Sequence, residues 1–463
     1  MSRIHRWPGQ NRVSAVRRLA CELVALAGVA FSPISRSAIA RVSGLITLIA
    51  AAGVFAVPFS APPVTAAVAG SDMAQPDIVT QWNLTMIAGL EAAQTPPPPS
   101  ARVGAIVQTS VFDAVNGIAR RYTFYHVTPA AAPGASRNAA AASAAYTALV
   151  ALIPAQKSLF DAQLAATLAQ LSDDPAHPGR SVERGLAWGK TVANEILARR
   201  ATDGFNAVLP PYVPGTAPGD WQPTPPLFGP PLFRQFATMV PFALTSPGQF
   251  LPAGPPPLTS ARYAQDLAEV QALGSATSSV RTADQTQTAT FWQDDTPAAM
   301  WNRVADRLAQ AHDTTLTQNA HLLAQLNIAL ADATIGIWNA KNTYNFWRPV
   351  TAIRATIDPT WTPLLPTPAF QEYPSAHSGV SSAAASVLAA TYGNNTSFSV
   401  TSAGLPGTER DFTSFSAAVQ QVEDARIYAG FHFRFSCIDG ATLGAQVAQW
   451  ATQTLMQPRH RQS

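Results

Sequence analysis

Between Thr317 and Trp347 the chain runs without a proline, and its apolar residues fall at helical spacing: Leu322, Leu323, Leu326, Ile328, Ala329, Ala333, Ile335 and Ile337. Steps of three and four residues return a side chain to the same side of a helix and to no consistent face of a strand. Pro349 is expected to close this helix. The same alanine- and leucine-rich signature predicts helices over 77–93, 101–119, 136–153, 155–171, 181–201, 260–273, 286–292, 298–312, 375–392, 415–431 and 440–456. Strand-like alternation is scarce, and no repeat of domain-building length is present. The expected class is all-α.

Residues 209–257 break the pattern, with fifteen of the chain's 39 prolines. Regular helix cannot persist at that density. Trp221, Phe228, Phe233 and Phe236 argue that the stretch is ordered and packed on the body, and an ordered loop of this length is often functional. We therefore expect a helical part over 70–258, ending in this loop, and a second over 259–463.

The formal charge of +3 is unevenly placed. Residues 1–69 hold seven arginines and one acid (Glu22), a net of +6, which leaves 3 − 6 = −3 for the rest. No basic patch with interleaved aromatics occurs in the body, so nucleic acid is not an expected partner. Arg36 and Arg41, the uncharged run 44–59 and the small residues Ala67-Val68-Ala69 together read as an export leader, with an uncleaved membrane anchor as the alternative. The apolar run is short for a full span, so no stable span is expected in the mature form. Of two cysteines, Cys21 falls in the leader and Cys437 stands alone in the body, which excludes a disulfide scaffold.

Three clusters carry chemistry. Lys341 and Arg348 stand seven apart in an apolar, aromatic setting. On a continuing helix they would share a face and repel unless an anion lay between them. Lys341 is one of only three lysines. Tyr373-Pro374-Ser375-Ala376-His377 opens a helix whose first N–H groups attract anions, with Ser375 as cap and His377 in the first turn. Arg426 and His432 stand six apart, which is not one helical face, so a bend near Gly430 is needed to bring them together. Each cluster alone has an ordinary reading: a solvated face, a capped helix, a core histidine. Their conjunction in a charge-poor chain points to a pocket for a tetrahedral oxyanion. His312, Asp313 and His321 are read as surface groups, and the glycosylation-like Asn83 and Asn394 carry little weight.

The pattern of Lys341, six residues, Arg348-Pro349, then Pro374-Ser375-x-His377, then Arg426, five residues, His432 resembles the superfamily of vanadium-dependent haloperoxidases and type 2 phosphatidic acid phosphatases. Phe112-Asp113-Ala114, Phe291-Trp292, Ala331-Asp332-Ala333 and Trp347-Arg348-Pro349 make the likeness that of the bacterial haloperoxidase branch, over most of 77–450. The resemblance implies a fold of two four-helix bundles and vanadate as cofactor. It implies that His432 bonds the vanadium, that Lys341, Arg348 and Arg426 neutralise its oxygens, and that Ser375 donates to them. His377 would be the acid–base group. Hydrogen peroxide, halide and an organic acceptor are the implied partners. Two departures stand out: Ala376 replaces the glycine usual in the family, and Ser436 stands where the phosphatases usually carry an aspartate four residues after the final histidine, with Asp439 coming later. An acidic orienter must then come from elsewhere, and Asp294 or Asp295 is the candidate. An acid phosphatase with His432 as nucleophile uses the same charges. A non-catalytic exported helical protein is the remaining alternative.

Overall fold

The computed structural model describes residues 76–459 apart from 129–130, 174–179 and 294. The expected leader 1–69, Cys21 and Asp294 lie outside the described residues. The described chain holds α1 (Ile78–Ala92), α2 (Pro97–Ala119), α3 (Arg137–Leu152), α4 (Lys157–Gln170), α5 (Ser181–Arg200), α6 (Ala261–Leu273), α7 (Ala283–Phe291), α8 (Pro297–Ala311), α9 (Leu316–Tyr344), α10 (Pro349–Thr356), α11 (Ala376–Tyr392), α12 (Phe415–Tyr428) and α13 (Arg434–Thr454). One antiparallel hairpin, β1 (Phe398–Thr401) with β2 (Glu409–Phe412), pairs Phe398 with Phe412. The class is all-α, as expected.

The helix α9 is the axis. It packs on α2 on one side and on α11 and α13 on the other, while α2, α3 and α5 form one bundle and α9, α11, α12 and α13 another. It starts at a reciprocal cap between Thr315 and Gln318. Among the described residues it alone is long and apolar enough to cross a membrane, and 94% of its most apolar stretch is buried in the body. The other bundle contact that positions the site is α11 against α13, where Gly440 and Gly444 sit one turn apart. A Cβ on Gly440 would lie 2.5 Å from the Ser375 carbonyl oxygen, and one on Gly444 only 1.9 Å from that of Gly379. Only glycine lets these backbones approach so closely.

The helix α13 starts at Arg434, six residues before the expected 440, and α12 ends at Tyr428, three before 431; two further differences have a direct physical reason. The helix α2 starts at Pro97, four residues before the expected 101, because first-turn prolines lose no hydrogen bond. The long helix stops at Tyr344, three residues short, with Asn345 left-handed at φ +45°. Phe346 bridges to Asp220, and Arg348, with an extended backbone, is the N-cap of a separate helix, α10. Lys341 and Arg348 therefore do not share a helix face; the residue before a proline is pushed out of the helical region.

The proline-rich stretch is ordered as expected, with a single 3-10 turn at Arg234–Thr238. Asp332, wholly buried on α9, accepts from the backbone N–H groups of Phe242, Ala243 and Leu244 at 2.7, 2.7 and 2.9 Å. Asp113 on α2 does the same for Tyr125, His126 and Val127. Trp338 and Asn339 donate to the carbonyls of Leu232 and Ala237. A segment that cannot pair its own backbone is thus paired by the helix beneath it. His321 is not a surface group: it stacks on Tyr122 at 4.0 Å and meets the Met456 carbonyl. Asn83 is buried and donates to Asp306, which leaves it no role as a glycan acceptor.

Candidate active site

Five short pieces of chain meet between the ends of the second bundle. The last turn of α9 brings Lys341 and the break after it brings Arg348. The loop before α11 brings Phe370, Gln371 and Glu372, with Ser375 and His377 at that helix's start. The end of α12 brings Arg426, and the link to α13 brings His432. The bend expected near Gly430 is present. Its φ is +83°, and a Cβ there would lie 2.6 Å from the Gly274 carbonyl oxygen, so glycine is required. Arg426 and His432 thereby face the same interior.

Lys341, Arg348 and Arg426 are each wholly buried. The Lys341 ammonium donates to the carbonyls of Gln371 and Glu372 at 2.7 and 2.8 Å. Arg348 Nε donates to Phe370 O at 2.8 Å, and Nη1 to Phe431 O at 3.1 Å. Its Nη2 is buried with no partner among the described residues. Arg426 donates to Trp292 O at 3.2 Å and to Gln293 Oε1 at 2.8 Å. His432 Nδ1 lies 2.8 Å from Glu372 Oε1, which also accepts from the Phe433 N–H at 3.1 Å. A carboxylate against Nδ1 fixes the proton there, and leaves the Nε2 lone pair turned to Arg348 Nη1 at 3.2 Å.

Ser375 caps α11 by accepting from Ser378 N at 3.4 Å, and it accepts the Ser378 hydroxyl at 2.9 Å. Both contacts use its lone pairs, so its own hydrogen remains available. The ring nitrogen Nε2 of His377 is buried without a partner among the described residues.

The electrostatics follow from this crowding. Burial first, then Arg348, holds Lys341 well below the usual ammonium range. Burial, with Arg426 adding to it, pushes Arg348 down to about 9. His432 and His377 are both held far below the ordinary imidazole value, by burial and then by the surrounding cations. Glu372 is the one member pushed up, to about 7, because burial outweighs the pull of Lys341 and Arg348. Three buried cations against one carboxylate are costly in low dielectric unless an anion joins them. The vacant donor on Arg348, the free Ser375 hydrogen and the oriented His432 lone pair make the set suited to a small, multiply charged oxyanion.

The expected residues Lys341, Arg348, Ser375, Ala376, His377, Arg426 and His432 are thus brought together. Asp295 is not. Its carboxylate takes Arg303 and the N–H groups of Thr296 and Ala403, the latter two at 2.7 and 2.9 Å. The acid on His432 is Glu372, which sequence reasoning missed. One signal was available: Glu372 is the only acidic residue between Asp358 and Glu409. Ser436 lies 3.4 Å from His432 Nδ1. Asp439 instead accepts from the Tyr373 hydroxyl at 2.7 Å.

Comparison with known proteins agrees with this geometry. The VCPO second helical-bundle domain matches residues 321–461. A bacterial vanadium-dependent iodoperoxidase structure superposes with TM-score 0.72 and 25% identity, over 83% of this chain and 97% of that one. A bacterial vanadium-dependent chloroperoxidase in its holo form superposes with TM-score 0.64 and 17% identity, over 78% of this chain and 92% of that one. Its apo form gives the same score and identity, over 78% and 94%. No curated protein matches by sequence.

Proposed function

We propose that the chain acts as a vanadium-dependent haloperoxidase, oxidising halide with hydrogen peroxide and using vanadate held in the cation cluster. The observation that carries the reading is the His432 lone pair, oriented by Glu372 and turned to Arg348, one of three buried cations in the site. In this reading His432 Nε2 is the ligand to vanadium. Lys341, Arg348 and Arg426 neutralise the oxygens, and Ser375 with the Ala376 N–H donates to them. When bound, vanadate supplies a Lewis-acidic centre that makes peroxide electrophilic towards halide with no change in its own oxidation state.

The chain's residues do the rest. His377, neutral because of its burial and the nearby cations, takes a proton from arriving peroxide at its free ring nitrogen and returns it to the departing oxygen. Lys341, Arg348 and Arg426, all buried, hold negative charge where it gathers. Glu372 keeps the His432 proton on Nδ1, so that Nε2 cannot become a donor. We further propose that 259–463 carries the whole site, that 70–258 supports it, and that 1–69 directs export. No observation favours the phosphatase or the non-catalytic reading.

The test is equilibrium dialysis of the oxyanion-stripped protein against vanadate. One vanadate bound per chain, displaced by phosphate and lost in His432→Ala, is expected. Unchanged retention in that variant would remove His432 as the ligand.

A further inference from the structure

The helices α11 and α13 both start at the oxyanion site and end beside the first turns of α9, where they and the chain after α13 enclose a cavity of about 510 Å³. Gln325 on its wall stands sixteen residues before Lys341 on α9, roughly 24 Å along the helix at about 1.5 Å per residue. The cavity is thus well apart from the oxyanion site. No Asp, Glu, Lys or Arg lines it. His321, the one lining group that ordinarily titrates near neutral pH, is pushed down to about 4 by burial, with the Met456 carbonyl opposing the shift in part. The walls nevertheless hold spare hydrogen-bonding capacity. Gln325 is 7% exposed, and its amide has no hydrogen-bond partner among the described residues. The Gln318 side-chain oxygen accepts from Thr315, which leaves its NH2 group unused. The Gln457 NH2 group donates to the carbonyls of Thr452 and Leu455 at 2.7 and 3.0 Å, which leaves its oxygen unused. His321 Nε2 donates to Met456 O at 3.0 Å, so the neutral ring keeps a lone pair on Nδ1. The same ring stacks on Tyr122, which makes one wall aromatic. A buried amide without a partner is costly, so the arrangement favours a guest that supplies one.

We propose that this cavity binds a neutral saccharide. Every sugar hydroxyl both donates and accepts, and the walls offer donors on Gln318, acceptors on Gln457 and His321, and both on Gln325. The Tyr122 and His321 stack gives the C–H groups of a sugar ring an apolar surface. A carboxylate or phosphate finds no cation here and an ammonium no carboxylate, so a charged guest loses hydration with nothing to replace it. The volume lies within the range of about 300–1,000 Å³ usual for small-molecule sites. Because the cavity sits at the end of the bundle away from His377 and His432, a bound sugar leaves the oxyanion site open, whatever reaction runs there. Such a grip holds the protein on a saccharide while turnover proceeds.

Saturation-transfer difference NMR titrations of the full chain with maltose, cellobiose, galactose and glucuronate test this. At least one neutral sugar should bind saturably, with Kd of about 5 mM or tighter, and glucuronate about 10-fold more weakly or worse. Gln325→Leu keeps the bulk of the side chain and removes its amide, and should weaken the bound sugar by about 10-fold or more, with vanadate affinity unchanged. Gln453→Ala, at an exposed position on the same wall, should weaken it by about 3-fold without touching the core. The comparison of neutral sugars with glucuronate needs no variant. Binding of no neutral sugar, or equal binding of glucuronate, overturns the site. Sugar binding that both substitutions leave unchanged lies elsewhere on the protein and overturns it as well. Where a sugar binds, co-sedimentation with insoluble cellulose or starch marks a polymer as its source and failure to co-sediment a free sugar, and both results uphold the saccharide site.

Discussion

Glu372→Gln separates the charge of this residue from its shape. The amide oxygen of glutamine can still accept from His432 Nδ1 and from the Phe433 N–H, so the imidazole stays oriented, while the titrating group is gone. In the wild type, burial raises the Glu372 carboxyl from its ordinary 4.5 to about 7. A raised carboxyl stabilises the folded state fully below the unfolded value, and that contribution is lost as pH rises through the folded value. Between pH 5 and pH 8 the loss comes to roughly 2.5 kcal/mol, at about 1.4 kcal/mol per pH unit. The variant has no such loss. Its stability relative to wild type should therefore rise by roughly 2.5 kcal/mol from pH 5 to pH 8, read from paired urea unfolding curves of oxyanion-free protein. Other buried carboxyls, such as Asp113 and Asp332, are common to both proteins and cancel. Anion binding follows the same sign. An oxyanion favours protonated Glu372, so wild-type affinity should fall relative to the variant by about 10-fold between pH 6 and pH 8. A stability difference and an affinity ratio that both stay flat across that range would refute the assignment of this titration to Glu372.

His432→Ala should fold, with a cooperative melt and unchanged helical circular dichroism, yet retain no vanadate on gel filtration. His377→Ala should bind vanadate within a few-fold of wild type but lose about 100-fold or more of its turnover, measured as bromide oxidation. Asp332→Ala leaves three buried N–H groups without an acceptor, at about 1–3 kcal/mol each. It should lower unfolding stability by at least about 3 kcal/mol and speed protease cleavage within 209–257, where an unchanged cleavage rate would show that Asp332 does not anchor the loop.

Helices were legible because alanine and leucine at helical spacing leave few alternatives, and α1, α3 and α11 begin and end within a residue or two of expectation. Periodicity misleads where a helix stops without a change in composition. Lys341 and Arg348 keep the seven-residue spacing of one face, but Asn345 turns left-handed between them and Pro349 forbids Arg348 a helical backbone. They converge on the 370–372 loop instead, and the expected pairing is right for a different geometric reason. Glu372 lay beyond periodic reasoning altogether, since a loop has no repeat that says which way a side chain points. Asp332 and Asp113 carry a usable signal: a carboxylate inside a run of small apolar helix residues must find buried donors, and the neighbouring proline-rich and irregular segments are where unpaired N–H groups arise. The Ala376 methyl lines an apolar cavity beside His377.

The central claim, that a buried cation cluster with an oriented histidine holds a working oxyanion cofactor, is tested most directly by activity after the protein is stripped of bound oxyanion. One half receives vanadate, bromide, hydrogen peroxide and a halogen-accepting dye, and the other a chromogenic phosphomonoester. The account predicts dye bromination that appears only with added vanadate and disappears in His432→Ala. Phosphate release inhibited by vanadate, with no bromination, would contradict it.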